Sequence, residues 1–251
     1  MERSGDAASA PAVCVNDFSI HVATVNGSGS QTSNNVLMRT IFQMGVPVSG
    51  KNLFPSNIQG LPTWFTIRAN KAGFLARRKD VDVLVCMNPE TAEDDVRALK
   101  AGGVCIYDAP LKLSRLRQDV QFFEIPYAKL VAAIPDIDGG LRRLMANMCY
   151  VGVLAELLGL DLAESEQALR KQFKGKEKAV AINRKALDLG AQYVREHFAG
   201  ARIPFRIERM NATQGKILID GNFAAAIGCL LAGCTVVAWY PITPSSSLVE
   251  S

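Results

Sequence analysis

The sequence lacks the cysteine pairs, long apolar runs and leader segment that mark several classes of protein. Its six cysteines include no pair separated by two residues, which argues against a zinc or iron–sulfur site built from this chain alone. No run approaches the roughly 18 apolar residues of a membrane-spanning helix. The small, polar N-terminal residues lack the apolar core of a signal peptide. We therefore expect a cytoplasmic protein with free thiols, no metal site and no membrane span.

The sequence also lacks the common catalytic motifs. It has no GxSxG, no HExxH and no cysteine with a histidine close by. Of its two histidines, His21 lies inside a predicted strand and His197 lies at the end of a predicted helix, and both positions are typical of structural histidines. The residues of this chain therefore do not predict a self-sufficient active site.

Acidic residues are absent between Asp17 and Asp80, although the net charge of the whole chain is only +4. The same stretch contains the basic residues Arg39, Lys51, Arg68, Lys71, Arg77, Arg78 and Lys79. A field of one sign raises the local concentration of an oppositely charged ligand. The distribution favours an anionic ligand or partner, with a basic protein interface or chance as the alternatives. We expect no nucleic acid among the partners.

Strands and helices alternate along the first part of the chain. The β-branched and apolar runs predict strands at 18–25, 64–69, 81–87, 104–108 and 120–127. Helical spacing predicts one helix after the first strand, ending at Gly45, and another within 91–103. This alternation predicts an α/β fold with a mostly parallel sheet and flanking helices.

The later part of the chain is predicted to be helical and then to enter a second domain. Apolar spacing from Leu141 onward predicts three helices, the last from about 176 to 198 and packed against the sheet. Residues 200–211 break the periodicity and predict a linker. Beyond it, strands at 216–220 and 234–239 flank a helix of small residues, as in a βαβ unit. The predicted organisation is a disordered tail at 1–16, a first domain at 17–199 and the start of a second at 212–251.

A glycine loop, "VNGSGSQTSNN", follows the first predicted strand. Gly27 and Gly29 would let the backbone turn into the helix, whose free N–H groups would face an anion. Thr32 replaces the third glycine of a dinucleotide-binding loop, and no acidic residue follows some twenty positions on, so NAD is disfavoured. A tight turn without any ligand is the alternative.

A second loop, "GKNLFPSNIQGLPTWF", is rich in rigid turn residues and amide side chains, which favours a shaped binding surface. Together with "MNPETAEDD" and "GGVCIYD", the two loops resemble the gamma domain of 2-oxoacid:acceptor oxidoreductases. The segment "DGNFAAAIGCLLAGCTVVAWYPITPSS" is similar to the opening of the alpha, or pyrimidine-binding, domain. In the 2-oxoglutarate:ferredoxin oxidoreductase type, that domain follows the gamma domain in one subunit.

The resemblance implies an enzyme subunit that is inactive alone. Such enzymes convert a 2-oxoacid and coenzyme A to acyl-CoA and CO2, here 2-oxoglutarate to succinyl-CoA. The resemblance implies that a separate beta subunit carries thiamine diphosphate, Mg2+ and an iron–sulfur cluster, and that this chain alone binds no cofactor. It further implies that ferredoxin, or NAD through a flavin subunit, accepts the electrons.

The resemblance also implies site residues. In the family the YPITP turn lines the substrate cavity, which gives Tyr240, Pro241 and Thr243 a substrate-binding role and makes Thr243 the catalytic candidate. Coenzyme A is expected at the gamma domain, and its candidate contacts are Gly27, Ser28, Gly29, Ser30, Gln31, Lys51 and Asn52. The alternative functions are a noncatalytic nucleotide-binding module and a structural interaction module on the same α/β scaffold.

Overall fold

The computed structural model describes residues 13–53, 55, 58–242 and 245–250. The chain forms two compact units, and the boundary between them lies after Gln214. Among the described residues, no helix is both long enough and apolar enough to cross a membrane.

The first unit contains a six-stranded sheet and a short two-stranded pair. The strands are β1 (Cys14–Val15), β2 (Asp17–Val25), β3 (Val48–Leu53), β4 (Pro62–Asn70), β5 (Val83–Cys86), β6 (Val104–Asp108), β7 (Gln121–Ile125) and β8 (Phe205–Arg206). The large sheet has the order β3-β4-β2-β5-β6-β7, and β1 pairs with β8.

The pairing pattern divides the large sheet into a parallel and an antiparallel part. Strands β2, β5, β6 and β7 run parallel to one another. Strands β3 and β4 form an antiparallel hairpin, and β4 pairs antiparallel with β2. Every residue of β5 is buried, as expected for a strand covered on both faces. The prediction of an α/β fold with a mostly parallel sheet is confirmed.

Helices cover both faces of this sheet. The helices of the first unit are α1 (Ser30–Gln43), α2 (Ala92–Ala98), α3 (Tyr127–Ala132), α4 (Gly139–Leu158), α5 (Leu162–Gln172) and α6 (Glu177–His197). Alternate residues of one strand enter different cores: Val85 belongs to the large cluster with α1 and α4, and Leu84 belongs to the smaller cluster beside α2. The period of two along the strands therefore produces a three-layer arrangement.

The last long helix, α6, is predicted to pack against the sheet, but in the structure it packs mainly against another helix. Its main contact is α4, and the two helices approach closely at a glycine on each. A β-carbon on Gly152 would overlap the carbonyl oxygen of Leu187, and one on Gly190 would overlap that of Cys149. The residues of α6 that share one helical stripe, Val180, Asn183, Leu187, Gly190 and Val194, are buried because this stripe faces α4.

Residues 200–211, predicted as a linker, pack onto the first unit. Ile203, Phe205 and Ile207 are buried at alternating positions, and β8 lies parallel to β1. The alternation of these apolar residues with Pro204 and Arg206 was the available signal for a strand, and Pro204 weakened it. Of the predicted N-terminal tail, residues 1–12 lie outside the described residues, and Cys14–Val15 form β1.

The second unit contains two helices, α7 (Gly221–Leu231) and α8 (Ser245–Val249). Asp220 caps α7 by accepting a hydrogen bond from the N–H of Phe223 at 2.8 Å. The strands predicted at 216–220 and 234–239 are not formed. A strand needs a hydrogen-bonded neighbour, and no described residue supplies one here. The apolar residues of this unit, such as Val236 and Leu231, are accordingly exposed.

We expect Gly190→Ala to lower the free energy of unfolding by about 1–3 kcal/mol or more, because the added methyl group would overlap the backbone of α4. Urea denaturation followed by circular dichroism would measure this. Gly139→Ala, in the first turn of α4 with open space around its β-carbon, is the matched control and should change stability by less than about 1 kcal/mol. An equal effect of the two variants would contradict the close crossing.

Candidate functional site

The glycine loop lies at the carboxyl end of β2, where the chain enters α1. Gly27 and Gly29 both have left-handed backbone conformations, with φ of +83° and +79°. Glycine adopts this region without the steric penalty of a β-carbon, so the strand can turn into the helix within four residues. No side chain of the described residues caps the N-terminus of α1, and its first turn contains no acid. Its N–H groups are thus available to an anion.

Two other segments hold the glycine loop in place. On the hairpin side, the backbone N–H of Asn26 donates to the carbonyl of Leu61 at 2.8 Å, and Gly60 donates to the carbonyl of Asn26 at 3.0 Å. On the other side, the side-chain amide of Asn147 on α4 donates to the carbonyl of Ser28 at 2.8 Å. The loop is therefore a fixed wall between the hairpin and α4.

These three segments enclose a cavity of about 660 Å³. Its lining comprises Thr24, Val25, Asn26, Gly27 and Ser28, together with Gln59, Gly60, Met87, Gly140, Arg143, Leu144, Ala146 and Asn147. Arg143 is the charged residue of this lining, and it forms no salt bridge with any residue that the structure describes. The site is electropositive and contains no carboxylate, so it suits an anionic ligand.

The two loop glycines are also required by packing around the cavity. A β-carbon on Gly27 would lie 2.8 Å from Cγ of Gln59, and one on Gly29 would overlap the side chain of Leu144. A larger residue at either position would displace the hairpin loop or α4. The close approach of Gln59 to Gly27 and of Leu144 to Gly29 therefore sets the shape of the cavity.

Of the predicted coenzyme A contacts, Gly27 and Ser28 line this cavity. The hydroxyl oxygen of Ser28 is buried and has no hydrogen-bond partner among the described residues. Gly29 lies one residue further on and lines a second cavity. The structure thus brings the centre of the predicted loop into a cavity and leaves one buried polar group there unsatisfied.

Ser30 and Gln31 are directed elsewhere. The buried hydroxyl of Ser30 is 2.9 Å from that of Thr24, so its hydrogen bond is made within the protein. The exposed amide of Gln31 donates to Asn35 along α1 at 3.1 Å. Neither side chain lines the cavity.

Lys51 and Asn52 lie on β3 rather than in a loop, and neither lines the cavity. Lys51 is exposed, and Asn52 accepts a hydrogen bond from Thr63 across the hairpin at 3.3 Å. The segment was predicted as a loop because of its glycines and prolines. Pairing of residues 48–53 with β4 converts its first half into a strand.

The predicted substrate residues belong to the second unit. Tyr240 is exposed and Pro241 lies in an irregular segment. Thr243, the catalytic candidate, lies outside the described residues.

Sequence reasoning missed the contribution of α4. Gly140, Arg143, Leu144 and Asn147 follow the spacing i, i+3, i+4, i+7, so they share one face of the helix. The mixture of glycine, cation and amide on an otherwise apolar helix was the available signal. The sequence does not show that this end of α4 meets the glycine loop. No binding role could therefore be assigned to this face of the helix.

The titratable groups buried in the sheet and in α4 do not form a catalytic set. Burial, with a smaller effect of the Arg77 charge, lowers the pKa of His21 to about 4, so this histidine is neutral at pH 7. Burial raises the pKa of the Cys86 and Cys149 thiols to about 12. Within the described part of the chain, no cluster of three or more His, Cys, Asp or Glu could hold a metal ion.

Comparison with known proteins identifies relatives for most of the chain. Residues 19–193 match the family described as pyruvate ferredoxin/flavodoxin oxidoreductase. The alpha subunit of 2-oxoacid:ferredoxin oxidoreductase 2 from Aeropyrum pernix is 24% identical over 270 residues, covering 92% of this chain and 42% of the relative. The 2-oxoglutarate oxidoreductase subunit KorA from Mycobacterium tuberculosis is 25% identical over 261 residues, covering 92% of this chain and 40% of the relative.

A solved structure covers nearly all of the chain. It is described as 2-oxoglutarate:ferredoxin oxidoreductase from Magnetococcus marinus with 2-oxoglutarate, coenzyme A and succinyl-CoA bound. The TM-score is 0.80 at 25% identity, and the match covers 94% of this chain and 40% of that one. The resemblance drawn from the sequence is confirmed. The chain spans about two fifths of the length of these relatives.

We expect Asn147→Ala to loosen the glycine loop, because the carbonyl of Ser28 would lose its hydrogen bond from α4. The loss of this partly buried bond should cost about 1–3 kcal/mol in local stability. Faster amide hydrogen exchange at residues 26–30 would report it. Gln192→Ala is the control. It removes an exposed hydrogen bond from the side-chain amide of Gln192 to Glu196 and should leave exchange in the loop unchanged. Unchanged exchange in Asn147→Ala would contradict the anchoring role.

Proposed function

Because this chain belongs to the pyruvate ferredoxin/flavodoxin oxidoreductase family, we propose that it forms part of the alpha subunit of a 2-oxoacid:ferredoxin oxidoreductase and binds coenzyme A. The glycine-loop cavity is the proposed site. The observation that carries the proposal is an unpaired Arg143 that shares one cavity with Gly27 and Ser28 of the glycine loop, which lead directly into the uncapped N-terminus of α1.

The chemistry of coenzyme A fits this cavity. Its diphosphate needs N–H donors and a cation, and the glycine loop, the start of α1 and Arg143 offer both. The unsatisfied hydroxyl of Ser28 can donate to a phosphate oxygen or to an amide carbonyl of the pantetheine arm. The Magnetococcus marinus relative, described with coenzyme A bound, supports the same ligand.

The proposed reaction is oxidative decarboxylation of a 2-oxoacid with coenzyme A to acyl-CoA and CO2. We propose 2-oxoglutarate as the 2-oxoacid and succinyl-CoA as the product, following the two relatives named for 2-oxoglutarate. Tyr240, Pro241 and Thr243 remain the proposed substrate contacts, with Thr243 the proposed catalytic residue. In this reaction the chain holds coenzyme A in position for acyl transfer to its thiol.

The remaining cofactors do not fit the described residues of this chain. These residues contain no cluster of ligands for a metal ion or an iron–sulfur centre, and three of the cysteines are buried free thiols. We therefore propose that thiamine diphosphate, which supplies the decarboxylation chemistry, Mg2+ and the iron–sulfur cluster belong to a beta subunit. Ferredoxin, or NAD through a flavin subunit, is the proposed electron acceptor. Buried free thiols support a reducing compartment such as the cytoplasm.

We expect the intact protein to bind coenzyme A more tightly than NAD, and Arg143→Gln to weaken coenzyme A binding about tenfold or more through loss of a charge-assisted contact. Isothermal titration calorimetry at low and moderate salt would measure both. Arg115→Gln, an exposed arginine outside the cavity, is the matched control and should bind as the unmodified protein does.

Three outcomes would contradict the proposal. Tighter binding of NAD would favour a nucleotide-binding module without the oxidoreductase chemistry. Failure of the intact assembled protein to bind either ligand would favour a structural interaction module. Equal effects of the two arginine variants would remove Arg143 from the site.

A further inference from the structure

The stretch of sequence without acids ends in a surface segment that the proposed function does not use. Residues 71–79, which we call the basic turn, connect β4 to β5, and every one of them is exposed. The basic turn contains no acid and four cations, Lys71, Arg77, Arg78 and Lys79. It also contains Phe74 and Leu75, whose exposed fractions are 74% and 43%. An apolar pair is therefore displayed among cations.

The basic turn lies at the opposite edge of the sheet from the glycine loop. It follows Asn70, which pairs with Asp17 at the start of β2, whereas the glycine loop follows Val25 at the end of β2. The nine residues of β2 separate the two edges by roughly 25 Å, at about 3.3 Å per residue. The basic turn is therefore separate from the proposed coenzyme A site.

Hydrogen bonds to the sheet hold the backbone of the basic turn in place. The side-chain oxygen of the buried Asn70 accepts from the N–H of Ala72 at 3.1 Å and from the N–H of Phe74 at 2.9 Å. The hydroxyl of Ser49 on β3 donates to the carbonyl of Leu75 at 2.6 Å. The exposed aromatic side chain is thus presented by a preformed turn, which lowers the entropy cost of binding a partner.

Most of the positive charge of the basic turn is not cancelled by this chain. Lys71, Arg77 and Lys79 form no salt bridge with any residue that the structure describes. Arg78 lies 3.8 Å from Asp80, and both side chains of that pair are exposed. Three cations therefore remain for a partner of opposite charge.

The composition and the fixed backbone of the basic turn favour a protein partner. Aromatic residues and arginine are enriched in protein–protein interfaces, where an aromatic side chain typically fills an apolar pocket inside a polar rim. Cations at the rim attract and orient an acidic surface. A protein surface with carboxylates around an apolar pocket therefore complements the basic turn in both respects.

We propose that the basic turn docks onto an acidic surface of the beta subunit, with Phe74 in an apolar pocket and Lys71, Arg77 and Lys79 facing carboxylates. This inference rests on the proposed function, because it takes the chain to work beside a beta subunit. A preformed apolar anchor suits a lasting contact, whereas an electron acceptor has to leave after each turnover. The aromatic anchor slows dissociation, and the cations set the rate of association and its dependence on salt.

The test measures the affinity of the intact chain for the beta subunit by surface plasmon resonance at low and moderate salt. Phe74→Ala should weaken binding about tenfold or more, because it removes the anchor. Lys71→Glu/Lys79→Glu should slow association and reduce its dependence on salt. The controls are Leu116→Ala, an exposed leucine outside the turn, and Lys129→Glu/Lys185→Glu, two exposed lysines of α3 and α6. Both controls should bind as the unmodified chain does.

Photo-crosslinking identifies what lies against the anchor. Phe74→p-benzoylphenylalanine in the purified, assembled enzyme should form a crosslink, on illumination, to a segment of the beta subunit that is rich in Asp and Glu. A crosslink to a second copy of this chain or to the electron acceptor would overturn the proposal, as would the absence of any crosslink. Binding to anionic phospholipid vesicles that is lost in Phe74→Ala, with no effect on the beta subunit, would point to a membrane instead.

The outcomes separate this inference from the proposed function. Coenzyme A binding, measured on the same variants, should be unchanged because the basic turn lies at the other edge of the sheet. If the unmodified chain binds neither coenzyme A nor the beta subunit, both proposals fail. If it binds both, but Phe74→Ala and the charge reversals behave like their controls, the proposed function stands and the docking surface is overturned.

Discussion

The close crossing of α4 and α6 is the constraint on which the rest of the first unit depends. Gly152 and Gly190 allow each helix to approach the backbone of the other, and any side chain there would push them apart. The position of α4 then fixes the site. Its Tyr150 donates to Asn34 of α1 at 2.8 Å, and its Asn147 holds the glycine loop. Because packed interiors tolerate little change in volume, two glycines that line neither cavity determine where the walls of both cavities stand.

Sheet topology explains why the cavity lies beside β2. After β2 the chain passes through α1 to the β3–β4 hairpin on one side, and it then returns to β5 on the other side. In open α/β sheets, ligands bind outside the carboxyl ends of strands at such a reversal of direction. Gly27 follows β2 and Met87 follows β5, and both line the first cavity. The hairpin closes the cavity from the antiparallel side through Gln59 and Gly60.

The electrostatics of the site come from a different region than the charge distribution of the sequence suggested. In the stretch without acids, Arg68 is buried in a salt bridge with Asp17, and Arg78 lies 3.8 Å from Asp80. These two cations are therefore engaged within the protein. The cation that faces the glycine loop is Arg143, some hundred residues later in the chain. The acid-free stretch therefore does not supply the charge of this cavity, because folding places Arg143 of α4 beside the glycine loop instead.

The sequence by itself determined the strands β2 and β4 to β7, the buried stripe of α6, the glycine turn and the family. Each depends on local periodicity or on a short motif, and local backbone sterics suffice to produce it. Only the tertiary structure decided the pairing of β3, the docking of residues 200–211 and the cavity walls. The bond from Asn147 to Ser28 joins residues 119 positions apart, and no local pattern encodes such a contact. The same reason left residues 216–220 and 234–239 without strands: a strand forms only where a neighbour supplies its hydrogen bonds.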